Sequence, residues 1–95
     1  MYKSIKMKEI INNDNVSIID VRSEEQFKKG HISNAININF NELLLNYQKY
    51  LNKEELYYIY CQKGNKSKII CNIVSHYGYK VVNIIDGYEG LIKRK

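Results

Sequence analysis

The segment Leu56-Tyr57-Tyr58-Ile59-Tyr60 does most to limit how this chain folds. It is the clearest strand in the sequence, and it runs directly into Cys61. Residues 67–77 then show a helical period, with Ile70, Ile73, Val74 and Tyr77 on one face and Gly78 as the stop. The same alternation recurs on either side. Val16-Ser17-Ile18-Ile19-Asp20 reads as a buried strand after the turn Asn12-Asn13-Asp14-Asn15, and residues 80–85 read as another strand. Between them, residues 23–29 form a short helix with Ser23 as N-cap, two glutamates first, two lysines last and Gly30 beyond. Residues 35–38 suit a short strand. Residues 40–51 suit a longer helix that presents Leu43, Leu44, Tyr47 and Leu51. A weak amphipathic helix is expected at residues 5–11 and a terminal one at residues 88–94. Strand and helix in this order predict an α/β domain with a mainly parallel sheet.

In an α/β sheet of this kind, chemistry gathers where the strands end at their carboxyl termini. Cys61 stands at such a point, followed by Gln62-Lys63-Gly64-Asn65-Lys66 and a helix opening at Ser67. A helix N-terminus offers free N–H groups that favour thiolate over thiol. Lys63, Lys66 and Lys68 add positive charge. Gly64 and Asn65 readily take positive φ, so the loop can curl into a cradle of inward-pointing N–H groups. A thiolate at its centre would be a nucleophile ringed by anion-binding groups. The bland alternative is a buried cysteine followed by a charged turn.

Three segments together resemble the rhodanese domain. Asp20-Val21-Arg22, Phe27, Gly30-His31-Ile32, Ala35 and Asn37-Ile38 are similar to the family's N-terminal signature. Tyr60-Cys61-Gln62-Lys63-Gly64-Asn65-Lys66-Ser67 is similar to its active-site loop, and Gly78-Tyr79-Lys80-Val81-Val82 with Asp86-Gly87-Tyr88 to its C-terminal segment. The resemblance spans nearly the whole chain and implies a three-layer fold with helices on both faces of the sheet. It implies a sulfurtransferase in which Cys61 takes sulfane sulfur from a small anionic donor such as thiosulfate, holds it as a persulfide and passes it to a thiol, protein or other nucleophilic acceptor. Backbone N–H groups from Gln62 to Ser67 would stabilise the sulfur, and Lys63 and Lys66 would bind the anion. The alternative is a rhodanese-fold module that senses or docks anions, or a partner protein, without turnover. Phosphatases of this fold carry C-x5-R, whereas here Ser67 stands in place of the arginine, and the shorter loop suits sulfur better than phosphate.

The chain departs from the family pattern at several positions. Lys66 replaces a common arginine and loses its two-pronged grip. Asn34 stands where glycine is usual, which calls for a positive φ. Gln26 replaces a frequent glutamate, leaving Glu24 or Glu25 as an expected partner for Arg22. Asp86 replaces a glycine, which places a carboxylate near the loop, and Leu91 replaces a common tryptophan.

The remaining candidates read as structural. Asp20 and Arg22 are expected to form a buried ion pair or to anchor loops. His31 is expected to hydrogen-bond its own turn. Cys71 lies along the helix at the edge of its apolar face, too far along to reach Cys61. A zinc site built from Cys61, Cys71, His31 and His76 has no C-x-x-C pair behind it, and no cofactor is expected. The chain has 95 residues and two cysteines, which favours one domain and a reduced, cytoplasmic protein. Its net charge of +5 is spread along the chain, which argues against nucleic acid. The N-terminus lacks the apolar core of a secretory leader, and no apolar run is long enough to span a membrane. Lys93-Arg94-Lys95 reads as a solvated end.

Overall fold

The computed structural model describes residues 2–93. Arg94 and Lys95, at the end of the expected terminal helix and tail, lie outside the described residues. Five strands, β1 (Lys3–Ile5), β2 (Ser17–Asp20), β3 (Ala35–Asn37), β4 (Leu56–Tyr60) and β5 (Lys80–Ile84), form one sheet in the order β1-β5-β4-β2-β3. All four pairings are parallel. The helices are α1 (Glu24–Lys29), α2 (Phe40–Tyr50), α3 (Asn65–His76) and α4 (Gly87–Lys93).

Alternation along the strands divides the core into two layers. Ile19, Ile59 and Cys61 face Leu43 and Leu51 from the α2 segment and Ile70, Cys71 and Val74 from α3. Ile18, Tyr60 and Ile84 face the other way, onto Met7 and Ile10, with Tyr88 and Leu91 of α4 packed alongside. Side chains that point alternately up and down a strand place neighbouring residues in opposite layers. The result is a helix–sheet–helix sandwich. Leu43, Ile59, Ile70 and Ile84 are fully excluded from solvent, and each contributes about 1.5–3 kcal/mol of transfer free energy.

Expectations about two elements need correction. Residues 5–11 are not a helix: Lys3–Ile5 is a strand paired with β5, and Met7–Glu9 is a single 3-10 turn that buries Met7. The apolar spacing there anchors a turn to the second core layer; it does not line a helix face. In α3 the buried face is Ile70, Cys71 and Val74, while Tyr77 is 56% exposed. The helix starts two residues earlier than expected, at Asn65, because Gly64 in the left-handed region (φ 95°) serves as its N-cap.

The register positions the site. Asp20 pairs with Tyr60, and the Val21 N–H donates to the Tyr60 carbonyl at 3.0 Å. Residues 20–22 and 61–62 therefore leave the sheet side by side at its carboxyl end. Asn34 has φ 74°, as its place in the pattern required.

Candidate active site

Cys61 is the first residue after β4, and only 4% of its surface is exposed. The chain turns at Gly64 and enters α3, so the first-turn N–H groups of that helix point back toward the sulfur. Gly64 N–H donates to Cys61 Sγ at 3.1 Å and Ser67 N–H at 3.4 Å. N–H groups aimed at sulfur stabilise negative charge there. The turn tolerates no side chain at Gly64: a Cβ would lie 2.0 Å from the Ile85 carbonyl oxygen, and φ is +95°.

The loop is held from behind by α4. Tyr88 N–H donates to the Cys61 carbonyl at 2.8 Å and Glu89 N–H to the Gln62 carbonyl at 3.0 Å. Gly87 permits that approach, since a Cβ there would stand 2.5 Å from the Cys61 oxygen. From the side, Arg22 Nη1 donates to Gln62 Oε1 at 3.2 Å. Arg22 is itself fixed by Asp20, with Nη2–Oδ2 at 2.8 Å, by the Gly30 carbonyl at 2.6 Å, and by the Tyr88 ring 4.0 Å from its Cζ. Burial alone would lower the Arg22 pKa, but the Asp20 carboxylate, together with Tyr60, more than offsets it and raises the guanidinium above its ordinary value. Arg22 thus pairs with Asp20 and not with Glu24 or Glu25; Glu24 lies 3.6 Å from Lys28 instead.

A cavity of about 400 Å³ opens over the sulfur. Cys61, Gln62, Lys63, Asn65, Lys66 and Arg22 line it, while Gly64 and Ser67 are buried in the loop. Gln26 and Phe40 also line the cavity, and neither was expected there. Lys66 Nζ sits 5.4 Å from the Phe40 ring centroid. With Arg22 committed to Asp20, Gln62 and Gly30, Lys63 and Lys66 are the cavity cations left to meet an anion.

Several expected neighbours stand elsewhere. His31 stacks on Phe27, with its Nδ1 2.7 Å from the Phe27 carbonyl oxygen, and does not line the cavity. Asp86 Oδ1 accepts from Met7 N–H at 2.7 Å, and its carboxylate packs against Gly90. It pins the N-terminal 3-10 turn and does not line the cavity, so the expected carboxylate facing the donor is absent from that wall. Cys71 is fully buried, and burial pushes its thiol up to about 12, with a smaller contribution from Cys61. Among the described residues, no three His, Cys, Asp or Glu side chains are grouped to hold a metal ion. No helix among them is long and apolar enough to cross a membrane.

Ser67 and Asn83 form a pair that the sequence did not announce. Ser67 Oγ lies 3.4 Å from Cys61 Sγ and donates to Asn83 Oδ1 at 2.6 Å, with both residues buried. The available signal was the polar Asn83 inside the apolar run Val81-Val82-Asn83-Ile84-Ile85.

The parallel α/β sheet places a cysteine at the carboxyl end of its central strand, cupped by a glycine turn and a helix N-terminus. The chain belongs to the rhodanese-like domain family, whose pattern it matches over residues 5–94. It is 29% identical over 93 residues to the thiosulfate sulfurtransferase GlpE of Coxiella burnetii, covering 94% of this chain and 86% of that one. Its fold is similar to that of a rhodanese-related protein from Thermoplasma volcanium, with a TM-score of 0.88, 29% identity and coverage of 98% and 93% of the two chains. A rhodanese-like domain protein of Staphylococcus aureus is similar at a TM-score of 0.79 and 29% identity, covering 93% and 89%.

Proposed function

We propose that this chain is a sulfurtransferase that carries sulfane sulfur on Cys61. The observation behind the reading is the convergence of Gly64 N–H and Ser67 N–H on Cys61 Sγ at the floor of an open cavity. In the first displacement the Cys61 thiolate attacks the outer sulfur of thiosulfate. The S–S bond breaks, sulfite leaves with its electron pair, and Cys61 retains the sulfur as a persulfide. Lys63 and Lys66 stabilise the departing dianion, and the loop N–H groups stabilise charge on the sulfur. In the second displacement an acceptor thiolate attacks the outer sulfur, and Cys61 leaves as thiolate. Each half-reaction uses the same sulfur position, so the kinetics are ping-pong. Two unpaired cysteines suit a reducing compartment such as the cytoplasm.

The test is steady-state transfer from thiosulfate to cyanide. Parallel double-reciprocal lines for the protein, and no turnover by Cys61→Ser, support the reading. Undiminished turnover by Cys61→Ser overturns it. A folded protein that binds thiosulfate without turnover would instead be an anion-docking module.

A further inference from the structure

The Ser67 hydroxyl has one proton and three acceptors within reach. Asn83 Oδ1 lies at 2.6 Å, Gly64 O at 3.4 Å and Cys61 Sγ at 3.4 Å. The short bond takes the proton, since a hydroxyl donates once and accepts with its lone pairs. Ser67 Oγ therefore turns lone pairs toward Cys61. That arrangement welcomes a thiol S–H and opposes a thiolate. For the hydroxyl to donate to an ionised Cys61 it must swing toward sulfur, and Oδ1 of Asn83, a residue only 1% exposed, then loses its donor. An acceptor stranded in the interior is costly.

We infer that Asn83 is a positioning residue that holds the Ser67 proton away from Cys61 and so withholds one hydrogen bond from the Cys61 thiolate. It touches neither the cavity nor the sulfur; it acts through Ser67. A hydroxyl bond to the thiolate then requires Ser67 to change partners, which couples that stabilisation to a bond on β5. Among the described residues, the other titratable or charged groups near the site include Asp20 and Arg22 at the end of β2, Tyr60 of β4, Lys63 and Lys66 in the loop and α3, Cys71 in α3, and Tyr88 of α4. None of them is part of this exchange.

The inference rests on Cys61 being the nucleophile, but alkylation reads the thiol directly and needs no sulfur transfer. The rate of Cys61 alkylation by iodoacetamide is measured against pH for the wild type, Asn83→Val, Ser67→Ala and the double variant, with the site of modification read by peptide mass. Asn83→Val frees the hydroxyl to donate to sulfur. Its profile moves to lower pH, and its rate at neutral pH rises about fivefold, the worth of one neutral hydrogen bond. The shift vanishes in the Ser67→Ala background, because the effect has no other route. Asn83→Ala removes the amide without adding volume and repeats the test if Asn83→Val fails to fold. A profile that stays in place, moves to higher pH, or still moves without Ser67 overturns the assignment.

Discussion

Arg22 reaches Gln62 at 3.2 Å while its other contacts hold it to Asp20, Gly30 and Tyr88, so a buried ion pair at the end of β2 is tied to the loop that follows β4. The pair stands where an anion-binding arginine could have stood, yet it works as a brace. Asp20 is fully buried and the Arg22 side chain is 4% exposed. Asp20→Ala leaves that guanidinium uncompensated, and urea denaturation should show a loss of about 3–5 kcal/mol. Gln62→Ala removes one hydrogen bond at the half-buried end of the chain of contacts and should lose about 1 kcal/mol or less.

Gly64 should tolerate no substitution. Its φ of +95° is one that L side chains avoid, and an added Cβ meets the Ile85 carbonyl oxygen at 2.0 Å. Gly64→Ala must displace either the turn after β5 or the loop, and the Gly64 N–H then leaves the sulfur. The expected result is a stability loss of about 2 kcal/mol or more, together with persulfide formation reduced at least tenfold. Thermal melting and thiosulfate–cyanide turnover check the two parts separately.

The two thiols should differ sharply in reactivity. Burial pushes Cys71 up to about 12 and removes it from solvent. Iodoacetamide at pH 8 should therefore modify Cys61 and leave Cys71 untouched in the folded protein, with both modified after denaturation. Cys71→Ala should retain sulfur transfer. Peptide mass mapping reads the first result and the cyanide assay the second.

Alkaline pH should weaken the fold. Cys71 ionises near 9 when unfolded but only near 12 when folded. A folded value raised above the unfolded one means that stability is intact below pH 9 and is lost as the pH climbs toward 12. Burial also raises Tyr60 above its ordinary value of 10.0, so a second group adds to the loss above that pH. Each contributes about 1.4 kcal/mol per pH unit within its window. Urea midpoints taken from pH 8 to pH 11 should fall, and Cys71→Ala should flatten the first part of the decline.

Much of this arrangement could be read along the chain, for identifiable reasons. β4, which ends just before Cys61, carried a dense run of strand formers, and Ser23 announced α1 because its side chain accepts from Gln26 N–H at 3.2 Å. β1 could not be read, since Lys3–Ile5 is short and largely exposed and gains its identity only by pairing with β5. The helical spacing of residues 5–11 misled because Met7 and Ile10 are both buried by a turn. The Asp86 carboxylate was expected near the loop rim, but its direction depends on the Met7 N–H, 79 residues away. Asn83 acquired a role only once β5 lay beside α3 and brought it to Ser67.

Every step of the proposed transfer requires sulfur to come to rest on Cys61. Intact-mass measurement after incubation with thiosulfate and desalting reads that state. The expected result is a gain of one sulfur atom, located on the Cys61 peptide, absent in Cys61→Ser and removed by cyanide. No gain with any sulfane donor, or a gain that survives in Cys61→Ser, would contradict it.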